Sequence, residues 1–298
     1  MIRFAVFTDL HYDHIPDGDR RIKEFLETVM QKNPDFILSL GDLCYPAAEN
    51  RKVIDALKQS GIPVYHTIGN HDTDRYSLKE VMDFLKIESS FYSFLIDNVK
   101  FIVLNTCYIR DGQKCVPFLK RNYDKAKQTY PWLPQMEADW LLQELESEDC
   151  FYVVFSHHSL ANDFRNRGIV NREAVRALLE KRRVLFCMNG HDHGDGCTII
   201  NGIPYITLNS MSYIWHGRKE LYSYDAKTHE KYPFLRDMIL YQEPLHAFVE
   251  IGDNGVCISG MEGHYQTVTP EDAEIGRTWN GVSIEPKVLT RTMKVCRD

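Results

Sequence analysis

The chain has 298 residues, 44% hydrophobic and 26% charged, with 35 Lys and Arg against 42 Asp and Glu, a formal net charge of −7 with His neutral. Those proportions suit a soluble globular protein with a sizeable core, and one large α/β unit can hold this length. The acidic balance speaks against nucleic acid as the main partner, which calls for a basic field. The 8 cysteines include no C-x-x-C pair, so they read as reduced thiols of a cytoplasmic protein. The opening MIRFAVFTDL is too short for a signal peptide or a membrane span and reads as a buried strand.

After that strand, Ile22, Phe25, Leu26, Val29 and Met30 recur at helical spacing until Pro34 stops the helix. DFILSLGD predicts a strand buried on both faces, Glu49 to Gln59 a second helix, VYHTIG a third strand and Leu78 to Leu85 a short helix. FYSFLIDNVKFIVLNT reads as a hairpin turning at Asp97-Asn98. PQMEADWLLQELES predicts a helix, FYVVFSHH a strand, REAVRALLEKR a helix and VLFCMNGHDH a strand. CTIINGIPYITLNS is a hairpin on Asn-Gly, and HAFVEIGDNGVCISGME a last hairpin near Asp253 to Gly255. Tyr108 to Leu133 and Met211 to Leu245 fit this rhythm poorly and read as long loops lining a site. The tail after Tyr265 shows no pattern. The expectation is a single domain over 1–298, with a motif-bearing core over 1–210 and an extension over 211–298 that carries a loop near the site and the last hairpin.

Five of the apolar runs end in oxygen or imidazole donors. Asp9 and His11 follow the first in D-x-H, and Asp42 the second in G-D. Asn70, His71 and Asp72 follow the third in G-N-H-D. His157 and His158 follow FYVVFS, and His191 and His193 follow VLFCMN in G-H-x-H. In open α/β sheets, ligands gather outside the carboxyl ends of strands. Each piece alone is as often a turn as a ligand; all five together, in this order, point to a metal site.

With these motifs the sequence resembles the calcineurin-like metallophosphoesterase superfamily, whose pattern stands here as DLH, GD, GNHD, SHH and GHDH over residues 1–210. The resemblance implies an α/β fold of four layers, α-β-β-α, with two mixed sheets flanked by helices and a dimetal site at the C-terminal ends of strands. It implies two divalent or trivalent ions, with Asp9, His11 and His193 on the first, Asn70, His157 and His191 on the second, and Asp42 bridging both. Mixed imidazole and carboxylate donors suit Mn, Fe or Zn. A hydroxide held between the ions would attack phosphorus in line. His71 is implied to face the substrate and to clamp a phosphoryl oxygen or protonate the leaving alkoxide. Asp72 either orients the other nitrogen of His71 or caps the turn. The pattern favours His157 over His158 as ligand and leaves His158 facing substrate or solvent. Asp192 is either a solvated loop residue or an acceptor behind the ligands. His66, His216, His229 and His246 lack ligand spacing.

GDLCYP departs from the G-D-x-V-D-R-G of Ser/Thr protein phosphatases. The expectation is a dimetal phosphohydrolase of small-molecule phosphodiesters or phosphomonoesters, with no membrane partner. The alternatives are a DNA nuclease of the same superfamily and a catalytically silent scaffold, against which the filled ligand positions argue. Tyr45, Tyr108 and Arg110, with Arg121, are the candidate substrate contacts. The rings of MSYIWHG suit core packing more than stacking on a base.

Overall fold

The computed structural model describes residues 1–123, 129–164, 167–216 and 224–294. β1 (Ile2–Phe7), β2 (Phe36–Ser39) and β3 (Val64–His66) lie parallel and adjacent, joined by α1 (Gly18–Lys32) and α2 (Arg51–Gln59). The alternation along β1 divides its side chains between two cores. Phe4 and Val6 face one, Ala5 and Phe7 the other. α1 ends where Asn33 turns left-handed and returns its N–H to Val29. α3 (Leu78–Leu85) opens on a capping box between Ser77 and Glu80.

β4 (Tyr92–Ile96) and β5 (Val99–Val103) form the expected hairpin. β6 (Tyr108–Asp111) and β7 (Lys114–Pro117) make a small separate one. After α4 (Gln135–Glu144) come β8 (Phe151–Ser156), α5 (Arg172–Leu179) and β9 (Val184–Asn189), with both strands parallel to β5. β10 (Gly196–Ile200) and β11 (Ile203–Thr207) turn on Asn201 and Gly202, whose φ values of 48 and 82 are what a two-residue hairpin turn needs. β12 (Tyr213–Trp215) pairs with β13 (Met238–Leu240), separated by α6 (Ala226–Lys231). β14 (Ala247–Gly252) and β15 (Gly255–Ser259) are the last hairpin.

One sheet runs Arg291–Met293, β15, β14, β1, β2, β3, and the other β10, β11, β9, β8, β5, β4. Phe4, Phe36, Phe101, Phe155 and Phe186 fill the space between them. α1 to α3 cover the outer face of the first sheet, and α4 and α5 that of the second. This is the four-layer arrangement expected from the sequence. The two poorly patterned segments are more ordered than expected, each contributing a two-stranded ladder; 124–128 and 217–223 lie outside the described residues. Among the described residues no helix is long and apolar enough to cross a membrane.

Candidate metal centre

β1, β2 and β3 end beside β8 and β9, so the C-terminal edges of both sheets meet at one place. The loops there continue the ladder beyond the strands: Asp9 N–H donates to Gly41 O at 3.1 Å and His11 N–H to Asp42 O at 2.9 Å. Asp9, His11, Asp42, His191 and His193 all have positive φ, between 48 and 68. A left-handed backbone is unfavourable for residues with a Cβ and clusters at functional sites. Gly69 and Gly190 let the loops close up. A Cβ on Gly69 would collide with the Asp42 carboxylate, and one on Gly190 with Thr8 and Asp9.

The donors converge. Potential ligand atoms of Asp9, His11 and His193, of Asp9, Asp42 and His157, and of His157, His158 and His191 fall within 4.8 Å of one another in each group. His157 Nε2 lies 3.2 Å from Asp42 Oδ2 and 3.0 Å from Asn70 Oδ1. His193 Nε2 lies 3.3 Å from Asp9 Oδ1 and 3.1 Å from His11 Nε2. His157 Nδ1 and His193 Nδ1 each lie 2.8 Å from a backbone carbonyl, of Leu40 and Tyr213. A carbonyl only accepts, so these Nδ1 atoms carry the protons and both Nε2 atoms present lone pairs. Asp9 Oδ1 and Asp42 Oδ2, facing them, are buried without a hydrogen-bond partner among the described residues. Lone pairs and carboxylate oxygens turned on one another in a buried site fit cations between them. The electrostatics carry the same demand for positive charge: burial lowers the His157 pKa, yet the Asp42 carboxylate pulls it up to about 9, so a proton on Nε2 would hold the place that a cation takes when bound.

All seven expected ligand residues are therefore brought together. His158 is buried, its Nδ1 3.0 Å from Thr106 Oγ1, and it lines the cavity over the site. His71 also lines that cavity; its N–H donates to Asp42 Oδ1 at 2.8 Å. The partner of its ring is not Asp72. Asp72 accepts the backbone N–H groups of Gly69, Asp42 and Leu43 at 2.8, 3.1 and 3.0 Å, which ties the β2 and β3 loops together. His71 Nδ1 is instead 2.7 Å from Asp74 Oδ2, and Asp74 also takes Arg121 at 2.7 Å and the Tyr123 hydroxyl. Burial would lower the His71 imidazole, but Asp42 and the Asp74 hydrogen bond outweigh it and hold it above its ordinary value.

Of the two expectations for Asp192 the acceptor holds: it is buried and accepts from Asn162 at 3.1 Å. Other expectations are corrected. Tyr108 and Arg110 do not line the cavity: Arg110 is exposed and bonds Gly112 O at 3.0 Å. Tyr45 lies one layer back, 2.9 Å from His14 Nε2, and His14 stacks on His11 with centroids 5.1 Å apart. Asp74, Tyr123 and Arg167 had no place in the sequence-based expectations, and Tyr213 and Trp215, assigned there to core packing, line the cavity. Only Asp74 carried a signal, its i+3 spacing from His71.

A buried His and Asp centre where two α/β sheets meet defines a metallohydrolase class of site. The family model described as calcineurin-like phosphoesterase matches residues 2–195, and the chain belongs to this family of phosphoric ester hydrolases. It is 25% identical over 199 residues to the serine/threonine-protein phosphatase CPPED1 of Mus musculus, covering 58% of this chain; it spans 59% of the length of that relative. Among solved structures, a dimetal phosphatase from Danio rerio superposes with a TM-score of 0.63 at 15% identity, covering 89% of this chain and 96% of the other. GAP50, the anchor in the inner membrane complex of Plasmodium, gives 0.60 at 14%, covering 99% and 89%.

Proposed function

We propose that the protein is a dimetal-dependent phosphohydrolase of small phosphate esters. The observation that carries this is the pair of buried oxygens, Asp9 Oδ1 and Asp42 Oδ2, which lack a hydrogen-bond partner among the described residues and face imidazole Nε2 atoms at 3.3 and 3.2 Å, at the floor of a cavity of about 290 Å³. The fold alone would not carry it, since the Plasmodium neighbour is described as an anchor. Asp9, His11 and His193 would hold one ion and Asn70, His157 and His191 the other, with Asp42 between them. When bound, the ions would supply Lewis acidity towards a phosphoryl oxygen and lower the pKa of water in the site.

The chain's own residues do the rest. With Nδ1 given to Asp74, His71 keeps Nε2 for the substrate, and the Asp74 carboxylate favours the protonated ring that donates to the leaving oxygen. Asp72 sets the spacing of the two loops that carry Asp42 and Asn70. Arg167, held 3.3 Å from His191 O, brings a permanent cation to the cavity wall.

The name of the mouse relative supports a second reading, a phosphoprotein substrate, against which the missing G-D-x-V-D-R-G stands. One panel separates these readings: bis(p-nitrophenyl) phosphate, p-nitrophenyl phosphate, a phosphoserine peptide and plasmid DNA, each with added Mn²⁺. Metal analysis should find close to two ions per chain, from the two sets of ligands. Asp42→Asn should lose ions and turnover together, whereas His71→Ala should keep the ions and lose turnover of alkyl phosphate esters, whose leaving oxygen needs a proton, by about 100-fold. A metal-loaded protein that hydrolyses no phosphate ester sinks the proposal.

A further inference from the structure

Above the donors, the cavity is walled by rings. Phe118 and Tyr123 pack with centroids 4.7 Å apart, Phe118 5.7 Å from His158 and Tyr123 6.4 Å from His71. Tyr213 stands 4.8 Å from His193 and 5.2 Å from His11, with Trp215 6.4 Å beyond it. The tail adds Trp279 to the lining. Beside it the Asn280 amide, turned so that its oxygen accepts, takes the Trp279 indole N–H and the Arg167 guanidinium, the latter at 2.8 and 3.1 Å. Arg167 is the one Arg or Lys on the lining among the described residues. Much of the remaining polarity is engaged within the wall: the Tyr123 hydroxyl goes to Asp74, and Asp192 accepts from Asn162.

This is an uneven cavity. Its floor and Arg167 suit a phosphoryl group. Its walls are aromatic, with Tyr123, Trp215 and Trp279 partly exposed and Phe118 and Tyr213 buried behind them, and they offer few polar partners, so the hydroxyls of a bare polyol would lose water without replacement. A planar ring loses nothing there and gains stacking. Resting on the phosphohydrolase reading, we infer that the substrate is a phosphate ester whose alcohol carries an aromatic ring, either a nucleobase or a simple aryl group. Trp215 and Trp279 are the specificity-determining residues.

Two matched pairs test this on the metal-loaded full chain: adenosine 5′-phosphate against ribose 5-phosphate, and benzyl phosphate against n-butyl phosphate, each also as its methyl diester. Within a pair the leaving alkoxide is of one kind, so the ratio of kcat/KM reports the ring and not bond breaking. The expected ratio is about tenfold or more in favour of the ring, the worth of one stacking contact. It should fall several-fold in Trp215→Leu and in Trp279→Leu, with folding checked by circular dichroism. The larger of the two wild-type ratios distinguishes nucleobase from aryl. Ratios near one in both pairs overturn the inference and leave the phosphohydrolase reading standing. Ratios that neither substitution changes overturn the role of the tryptophans. A chain that turns over none of these esters, nor bis(p-nitrophenyl) phosphate, overturns both readings.

Discussion

The imidazole of His71 is fixed from both ends, its backbone N–H on Asp42 and its Nδ1 on Asp74, which is itself held by Arg121 and Tyr123. Asp74 bonds no candidate ligand itself: it reaches His71 directly, and Asn70 only through the Tyr123 hydroxyl, which accepts from Asn70 Nδ2 at 3.3 Å, so its effect on the reaction would pass chiefly through His71. Asp74→Asn should therefore leave metal content unchanged and lower kcat by about 10- to 100-fold for alkyl phosphate esters, whose leaving oxygen needs a proton. With p-nitrophenyl esters, whose leaving group departs without one, the loss should be only about threefold. Equal losses on both would remove Asp74 from this role. The sequence pointed to Asp72 as the partner, whereas the structure gives that place to Asp74. A single 3-10 turn over His71–Thr73 decides between them, because i and i+3 share one side of such a turn while i+1 points back into the loop. The ligand residues were legible because each lies within four residues of a strand's end, and a strand's end fixes where the next residues go. Tyr108 and Arg110 were not, because the facing of β6 depends on its bridge to distant Pro131.

Among the elements, β3 carries a buried histidine. It is an edge strand of the first sheet, and Tyr92 of β4, in the other sheet, closes that edge: its hydroxyl takes His66 N–H at 2.9 Å and gives to His66 O at 3.0 Å. The His66 side chain is buried, with Nδ1 lacking a partner among the described residues, and burial lowers its pKa from 6.5 to about 4. Because the folded pKa lies below the unfolded one, the unfolded chain binds the extra proton between those values. Stability is therefore full above pH 6.5 and falls as pH drops towards 4, at about 1.4 kcal/mol per unit. His66→Gln removes this site. Between pH 7 and pH 5 the variant should lose about 2 kcal/mol less stability to acid than the parent, read from urea midpoints at both pH values. Parallel losses would show that His66 protonates freely in the folded state. Periodicity found nearly every strand of the two sheets, because their apolar runs are strong, but it gave no sign that an apolar-looking third strand hides a titratable group. The ladders formed by β6 with β7 and by β12 with β13 were missed because three or four residues carry too little pattern.

At the scale of the whole molecule, the C-terminal third is stitched into the motif-bearing part. β14 pairs with β1 over five residues, from Ile2 with Ile251 to Val6 with Ala247, so the first sheet is incomplete without it. Asp195, just past the G-H-x-H motif, pairs with Arg291 of the tail, and Val282 packs where Gly194 leaves room. The decisive tie is Arg21. Its helical position gave no hint of burial, because the residue types that form the apolar stripe of α1 do not include it. Yet it is fully buried, donating to Asp17 at 3.0 Å, to the carbonyls of Met211 and Glu243 at 3.0 and 3.2 Å, and to that of Tyr241. A planar guanidinium reaches carbonyls on a neighbouring segment in a way no ammonium can. Arg21→Met keeps much of the volume and strands those carbonyls, which should cost about 3–5 kcal/mol. If residues 1–298 fold as one unit, as this stitching leads us to propose, far-UV and near-UV circular dichroism should still report one coincident transition, moved as a whole to lower urea. Two separated transitions in the variant would mean that the extension unfolds by itself, and the division at residue 210 would then be a domain boundary rather than the end of a run of motifs.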